Sequence, residues 1–344
     1  MKENGVRLLV AGGAGFIGSN FIRYILGAHA DWQVVNVDAL TYAGNLANLA
    51  ALEGEERYGF VRADICDAPR IAEIVAAERP DAIVNFAAET HVDRSIDDPS
   101  LFLKTNVLGT QVLLEAARRQ GIARYLQIST DEVYGSLGPD GKFSEGSPLR
   151  PTSPYAASKT AGDLLTRAWF KTYGVPAIVT RCSNNYGPYQ FPEKLIPFFV
   201  TLLRENKAVP VYGDGMNVRD WIHVDDHSRA IEAVLLRGRP GEIYNIGGGN
   251  ERTNIEITKM LFSFTGKPES LMKFVPDRPG HDRRYAIDDT KARRELGIAP
   301  RVPFEEGLRE TVRWYLENEE WCRAVRSGEY LKFYDQWYSR QGRT

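Results

Sequence analysis

The run Leu8-Leu9-Val10-Ala11-Gly12-Gly13-Ala14-Gly15-Phe16-Ile17-Gly18 passes from an apolar strand straight into an amphipathic stretch. Its glycines permit a tight turn and a close backbone approach. The N-terminus of a following helix adds free N–H groups and a positive dipole end, which together suit a pyrophosphate. A bare glycine pattern also arises by chance and can merely pack a strand on a helix. The strand before and the helix after favour a dinucleotide-binding turn. The second apolar run ends at Asp38, 20 residues beyond Gly18. A carboxylate there accepts from the adenosine ribose hydroxyls and repels a 2′-phosphate. No arginine directly follows Asp38, so NAD is expected rather than NADP. Without the glycine loop, Asp38 would read as a turn or cap residue. Asp64, at the end of the third apolar run, fits an adenine contact and a helix N-cap equally well.

Beyond this turn the first half keeps alternating. Residues 8–11, 34–37, 58–63, 82–85, 125–129 and 177–181 are short and apolar, as buried strands are. Helix-like segments lie between them at 16–26, 68–78, 101–120 and 154–173. Strand then helix, repeated, predicts an α/β fold: a Rossmann-type, doubly wound parallel sheet with helices on both faces. Right-handed crossovers gather the strand C-termini, and so the ligand site, along one edge. After about residue 183 the texture shifts to Asn, Gly, Pro and aromatics, with helix-like stretches near 195–204, 223–236, 254–265 and 304–319 and a strand at 242–246. The expected division is a dinucleotide-binding domain over 1–185, rejoined by 222–248, and a smaller mixed substrate domain over 186–344. No internal repeat, low-complexity segment or long linker separates them, so the two should share a cleft.

Charge excludes several classes of partner. Lys and Arg number 43 and Asp and Glu 45, a net charge of −2 with no basic run, which favours neither nucleic acid nor an anionic membrane. Cys66, Cys182 and Cys322 are too few and too scattered for a disulfide framework or a zinc cluster. His91, His223, His227 and His281 lack metal-ligand spacing, so no metal is assigned. No apolar stretch approaches a membrane span, and residues 1–7 lack a hydrophobic signal core. A cytoplasmic globular protein is the expectation.

Two segments carry chemistry. Tyr155-Ala-Ala-Ser-Lys159 opens a helix after Pro151 and Pro154, and the four-residue spacing puts phenol and ammonium on one face. An ammonium beside a phenol, with a cationic nicotinamide near it, lowers the tyrosine pKa toward neutrality and makes a base for a sugar hydroxyl. In isolation such a pair is common on surface helices; behind a glycine loop it gains weight. The second segment is Ser129-Thr130-Asp131-Glu132-Val133-Tyr134-Gly135, where an apolar strand ends in a hydroxyl and two acids. Loop acids are usually solvated charge or helix caps. At the edge where a cofactor lies, adjacent carboxylates can divide acid and base work if their pKa values are pushed apart. An elimination needs both.

Eight stretches then occur in order over nearly the whole chain: residues 12–18, DALTYAGN at 38–45, NFAAETHVDRS at 85–95, 129–135, 155–159, RCSNNYGPYQFPEK at 181–194, RDWIHVDD at 219–226 and DRPGH at 277–281. In them the sequence resembles the extended short-chain dehydrogenases/reductases and, within that superfamily, the dTDP-glucose 4,6-dehydratases. The glycine turn and the Tyr-Lys pair are shared by the superfamily; the Thr-Asp-Glu triplet and SNNYGPYQFPEK are far narrower. Thr90 stands where many members have serine, and either hydroxyl serves.

The resemblance implies that Gly12, Gly15, Phe16, Ile17, Gly18, Asp38, Leu40, Thr41, Asp64, Ile65, Ala87, Thr105, Tyr155, Lys159 and Asn185 contact NAD. It implies that His91, Thr130, Asn184, Lys194, Leu195, Pro210, Tyr212, Arg219, Asn254, Asp277, Arg278 and His281 contact the nucleotide sugar, dTDP-glucose. Lys194 and Arg219 are cations of the kind a pyrophosphate attracts. An ion pair of Arg219 with Asp220 or Asp225 is the competing explanation. Thr130, Asp131, Glu132, Tyr155 and Lys159 are the implied catalytic set. In the implied reaction Tyr155 takes the C4 hydroxyl proton during NAD-mediated oxidation. Glu132 then removes the C5 proton, Asp131 protonates the departing C6 hydroxyl, and hydride returns to C6. The product is a 4-keto-6-deoxy sugar nucleotide. A nucleotide-sugar 4-epimerase or a UDP-glucuronate decarboxylase would share the fold, NAD, Tyr155 and Lys159 without needing the two acids. A non-catalytic NAD-binding regulator would need neither Tyr155 nor Thr130. A homodimer, paired through helices 101–120 and 154–173, is also implied.

Overall fold

The computed structural model describes residues 5–326. Residues 327–344, which the expected second domain includes, lie outside the described residues. Among the described residues twelve strands are formed: β1 (Arg7–Ala11), β2 (Gln33–Asp38), β3 (Tyr58–Arg62), β4 (Ala82–Asn85), β5 (Arg124–Thr130), β6 (Ala177–Cys182), β7 (Asn184–Tyr186), β8 (Val209–Tyr212), β9 (Val218–His223), β10 (Ile243–Ile246), β11 (Glu251–Thr253) and β12 (Met272–Val275). The helices are α1 (Phe16–Ala28), α2 (Ala68–Glu78), α3 (Val92–Asp97), α4 (Ser100–Phe102), α5 (Thr110–Gln120), α6 (Pro154–Tyr173), α7 (Leu195–Arg204), α8 (Val224–Arg237), α9 (Asn254–Thr265), α10 (Thr290–Leu296), α11 (Phe304–Glu317) and α12 (Glu319–Val325).

Seven strands make one sheet in the order β3-β2-β1-β4-β5-β6-β10, every neighbouring pair parallel. Strands β4 and β6 are buried at every position, as two covered faces require. One apolar cluster covers each face: Phe21, Ile22 and Ile25 of α1 meet Ile231 and Val234 of α8 in one, and Ile71 of α2 meets Leu113 of α5 in the other. The chain reverses direction across the sheet between β1 and β4, which opens a crevice at the strand C-termini. Strand β10 lies against β6 in this sheet. A second group, Phe198, Phe199, Leu202, Trp221, Leu261 and Leu308 among others, forms a separate core around α7, α9 and α11.

The segment expected as one helix over 101–120 is interrupted. A π-helical turn over Leu103–Gly109 lies between α4 and α5. It brings Thr105 into the crevice. Gly109 makes the approach possible, because a Cβ there would stand 2.4 Å from Ile65 Cδ1. The short strands β7, β8, β9, β11 and β12 had no period-2 signature in the sequence. They are three to six residues long. Partners distant in the chain hold them, such as β12 on β8.

Candidate active site

The glycine turn closes three approaches at once. Gly12 has φ of +76°, and a Cβ on it would lie 2.5 Å from Ala87 N. A Cβ on Gly13 would meet Asn36 Oδ1 at 2.4 Å, and one on Gly18 would meet Gly12 O at 2.4 Å. The result is a side-chain-free cradle under the N-terminus of α1, whose cap, Gly15, offers no side chain to the helix N–H groups. Asp38 stands beside it. Its Oδ2 accepts from Ala14 N at 2.9 Å and its Oδ1 from Leu40 N at 2.8 Å. Two such bonds leave acceptor capacity on both oxygens for ribose hydroxyls. Burial raises the Asp38 pKa, and those two N–H groups pull it back. The N-cap alternative for Asp64 fails, since the cap of α2 is Asp67, which accepts from Arg70 N at 3.1 Å. Asp64 instead accepts from Cys66 N at 2.9 Å and pairs with Lys104 at 3.2 Å.

The five implied catalytic residues line one pocket with this cradle. Strand β5 ends at Thr130, whose hydroxyl accepts from Glu132 N at 3.3 Å and so caps a 3₁₀ turn over Asp131–Tyr134. Ser153 caps α6 by accepting from Ala156 N at 3.1 Å, with Pro154 in the first turn, and this places Tyr155 and Lys159 on successive turns. The Lys159 ammonium donates to Ile128 O at 2.7 Å. Gly12, Gly15, Phe16, Ile17, Gly18, Asp38, Thr41, Asp64, Ile65, Ala87, Thr105 and Asn185 line the same pocket, as do Asn184 and Lys194. Leu40, His91, Leu195, Pro210, Tyr212, Arg219, Asn254, Asp277, Arg278 and His281 do not line it.

Several of those outlying residues still reach the chemistry electrostatically. Burial raises the pKa of both Asp131 and Glu132, but their neighbours differ. Asp131 is pushed well up by burial, then by Glu132 and Asp220, with Arg219 and Thr130 opposing. Glu132 faces three cations, Arg278, Lys194 and Arg219, which pull it down against burial and Asp282. The two consecutive carboxyls thus stand in different electrostatic surroundings. Asp131 Oδ2 and Asn184 Oδ1 are buried with no hydrogen-bond partner among the described residues. Both belong to pocket-lining residues, and polar groups on a ligand would satisfy them.

The expected lowering of the Tyr155 pKa rests partly on a cationic nicotinamide beside it, which the chain alone does not supply. Burial raises the Tyr155 pKa well above the ordinary value, and Glu132 and Cys182 add to the rise, while a hydrogen bond from Thr130 opposes it. Lys159 itself is lowered by burial. The protein's own groups therefore favour the neutral phenol.

On the substrate side, Lys194 donates to Thr90 O at 2.9 Å. Arg278 pairs with Asp93 at 2.8 Å. Arg219 lies 4.3 Å over the Tyr285 ring and donates to Asp282 O at 3.0 Å. It makes no ion pair with Asp220, whose oxygens accept from Gly248 N and Asn250 N. Burial lowers the His91 pKa to about 3, with Lys194, Arg94 and Arg278 reinforcing and Asp93 opposing. His91 is neutral.

Residue-type reasoning missed Glu193, a pocket-lining acid whose pKa burial lifts to about 7. It also missed Tyr285, one of the groups around Glu132. Glu193 lies inside the RCSNNYGPYQFPEK stretch, so its signal was present. Tyr285 follows DRPGH by four residues and carries none. Among the described residues no group of His, Cys, Asp and Glu is disposed to hold a metal ion. Among them, too, no helix is long and apolar enough to cross a membrane.

The 3-2-1-4-5-6 order, the glycine turn and the Tyr-Lys pair on α6 are those of an extended short-chain dehydrogenase/reductase. The family described as GDP-mannose 4,6 dehydratase matches residues 9–311. A dTDP-glucose 4,6-dehydratase of Streptomyces niveus is 54% identical over 326 residues, covering 94% of this chain and 96% of that protein. The solved dTDP-glucose 4,6-dehydratase of Streptomyces venezuelae, with NAD bound, superposes with a TM-score of 0.91 at 54% identity, covering 93% of this chain and 100% of that one. A UDP-glucose 4-epimerase of Thermotoga maritima superposes with a TM-score of 0.85 at 31% identity, covering 91% and 100%. The chain belongs to the dTDP-glucose 4,6-dehydratase family.

Proposed function

We propose that this protein dehydrates dTDP-glucose to dTDP-4-keto-6-deoxyglucose with NAD as a tightly held cofactor. The observation that carries the reading is the Asp131–Glu132 pair in one buried pocket with Tyr155 and Lys159. The glycine cradle and the Asp38 carboxylate fit a dinucleotide with a free 2′-hydroxyl. Thr41, Ile65, Ala87, Thr105 and Asn185 would complete its walls. NAD supplies a two-electron oxidant that is regenerated within each cycle, and a positive ring that favours ionised Tyr155.

The chain's own residues do the rest. Tyr155 receives the proton of the C4 hydroxyl, with Thr130 bonded to it and Lys159 as the nearby cation. The resulting 4-ketone acidifies C5. Glu132, the carboxyl facing three cations, takes that proton. Asp131, the carboxyl held protonated, delivers its proton to the leaving C6 hydroxyl as water departs. Arg219, Arg278 and Lys194 bring the positive charge that a pyrophosphate and its sugar need nearby. Burial keeps the half-reacted sugar away from bulk water.

A 4-epimerase or a decarboxylase built on this scaffold has no use for an acid–base pair at 131 and 132. Incubation with dTDP-glucose tests the reading. A 4-keto-6-deoxy product supports it, and a galactose epimer would replace it.

We also infer a cytoplasmic homodimer. Leu101, Leu103, Leu108, Leu164 and Tyr173, on the helical segment before α5 and on α6, are 48–55% exposed, an apolar face that a two-fold mate would cover. A monomeric mass by light scattering at micromolar concentration would refute the dimer.

A further inference from the structure

Resting on that reading, we propose that Asp163 is a positioning residue for the Tyr155–Lys159 pair, a buried counter-charge that keeps the Lys159 ammonium charged and held against the end of β5. Asp163 follows Lys159 by four residues on α6, so the two side chains are neighbours on one helix face. Both are buried. The hydrogen bond of Lys159 goes to a neutral acceptor, Ile128 O, at 2.7 Å. A buried ammonium with only neutral partners gives up its proton, so it needs an anion nearby.

The surrounding groups leave one candidate. From β6, Cys182 faces Lys159, but burial lifts its thiol to about 12 and keeps it neutral. From the turn after β5, Asp131 and Glu132 act on Tyr155 and are not among the principal influences on Lys159. The segment before α5 presents Asn106, bonded to Ser158 at 2.8 Å, and it is neutral. Asp163 remains, and it is the largest favourable influence on the charge of Lys159.

Burial raises the pKa of Asp163 too, and Arg181 on β6, first among the groups that oppose it, favours the carboxylate. Its Nε lies 2.8 Å from Asp163 Oδ2, with both side chains at most 1% exposed. Arg181 also donates to the Tyr134 hydroxyl at 2.9 Å, and Tyr134 donates to Asn245 Oδ1 at 2.8 Å. Tyr134 ends the turn that carries Asp131 and Glu132. One buried network therefore reaches from the lysine helix to the acid turn. A buried ion pair alone is weak evidence of stability, because a well-packed apolar pair does as well. Its place beside Lys159 supplies the reason for an ionic pair here.

The test follows the appearance of NADH absorbance in single turnovers of the holoenzyme with dTDP-glucose across pH. Asp163→Asn keeps shape and hydrogen bonding and removes the charge. The alkaline limb of NADH formation should then move down by about one pH unit, the scale of a nearby charge in a protein interior. Asp163→Asn combined with Arg181→Gln also removes the counter-charge and should move the limb the same way. That double variant removes the Arg181 charge that the single one would strand, and serves if the single one does not fold. An unmoved limb in the variant that folds, whatever its rate, overturns the proposal. A parent enzyme that forms neither NADH nor keto-sugar overturns the functional reading instead.

Discussion

The Tyr42 hydroxyl donates to Glu193 Oε1 over 3.0 Å, fastening the loop after β2 to the segment that carries Lys194. Tyr42 also packs edge-on against Phe191 at 5.5 Å and under the Arg94 guanidinium at 4.1 Å. Asp38 and Thr41, on the cofactor side of that loop, both line the pocket. Tyr42→Phe should therefore raise the dissociation rate of NAD several-fold while leaving the protein folded. The NAD content remaining after gel filtration measures this, and full retention would contradict it.

Glu193 makes a pH prediction. Burial lifts its pKa to about 7, so the folded chain prefers it protonated. The stability this preference contributes is complete below the ordinary carboxylate pKa near 4.5 and is lost as pH rises through about 7. Glu193→Gln removes the titration. Its Tm should match or exceed the parent's more clearly at pH 8 than at pH 5. Parallel Tm–pH curves for the two proteins would show that Glu193 does not titrate in this window.

The sheet was legible because burial on both faces forces continuous apolar runs, and β1, β4 and β6 are such runs. The glycine turn was legible because Gly12, Gly13 and Gly18 stand where a Cβ would collide. Tyr155 and Lys159 were found through helical spacing, and Thr130 to Glu132 through the polarity of a strand end. How deeply the phenol is buried and which acids face it were not. The separation of Asp131 from Glu132 depends on Arg278, Lys194 and Arg219, which tertiary folding alone brings near. The pairing of Asp93 with Arg278, 185 positions away, is likewise a product of tertiary folding.

Gly12 gives the plainest stability prediction. Its φ of +76° strains any side chain, and a Cβ would press to 2.5 Å from Ala87 N, on backbone that cannot swing aside. Gly12→Ala should cost about 2–4 kcal/mol, the range of combined backbone strain and overpacking. It should also abolish NAD retention. The urea midpoint reads the first effect and nucleotide released on denaturation reads the second. A parental midpoint would mean that the turn can relax.

Asp38 decides the cofactor. Its carboxylate stands beside the glycine cradle, with acceptor sites left over after Ala14 and Leu40. Denaturing the purified protein should release NAD. NADP as the main species would be incompatible with a buried carboxylate at that position.

Glu132 separates dehydration from simple oxidation and reduction at C4. Oxidation requires Tyr155, Lys159 and NAD, whereas loss of water requires a base at C5 and an acid at C6. Glu132→Gln keeps the size and most hydrogen bonding of the side chain but removes the base. Loss of a general base costs on the order of 10²–10⁴ in rate. The oxidation step should suffer far less, because Glu132 raises the Tyr155 pKa, and neutralising it makes Tyr155 the easier phenol to ionise. Given dTDP-glucose, the variant should accumulate enzyme-bound NADH, read by its near-ultraviolet absorbance, and form keto-sugar slowly or not at all. Tyr155→Phe should block NADH formation itself. Asp131→Asn should resemble Glu132→Gln, since the leaving hydroxyl would depart without its proton. Parental turnover in Glu132→Gln would remove the elimination role from that carboxylate and return the epimerase reading to contention.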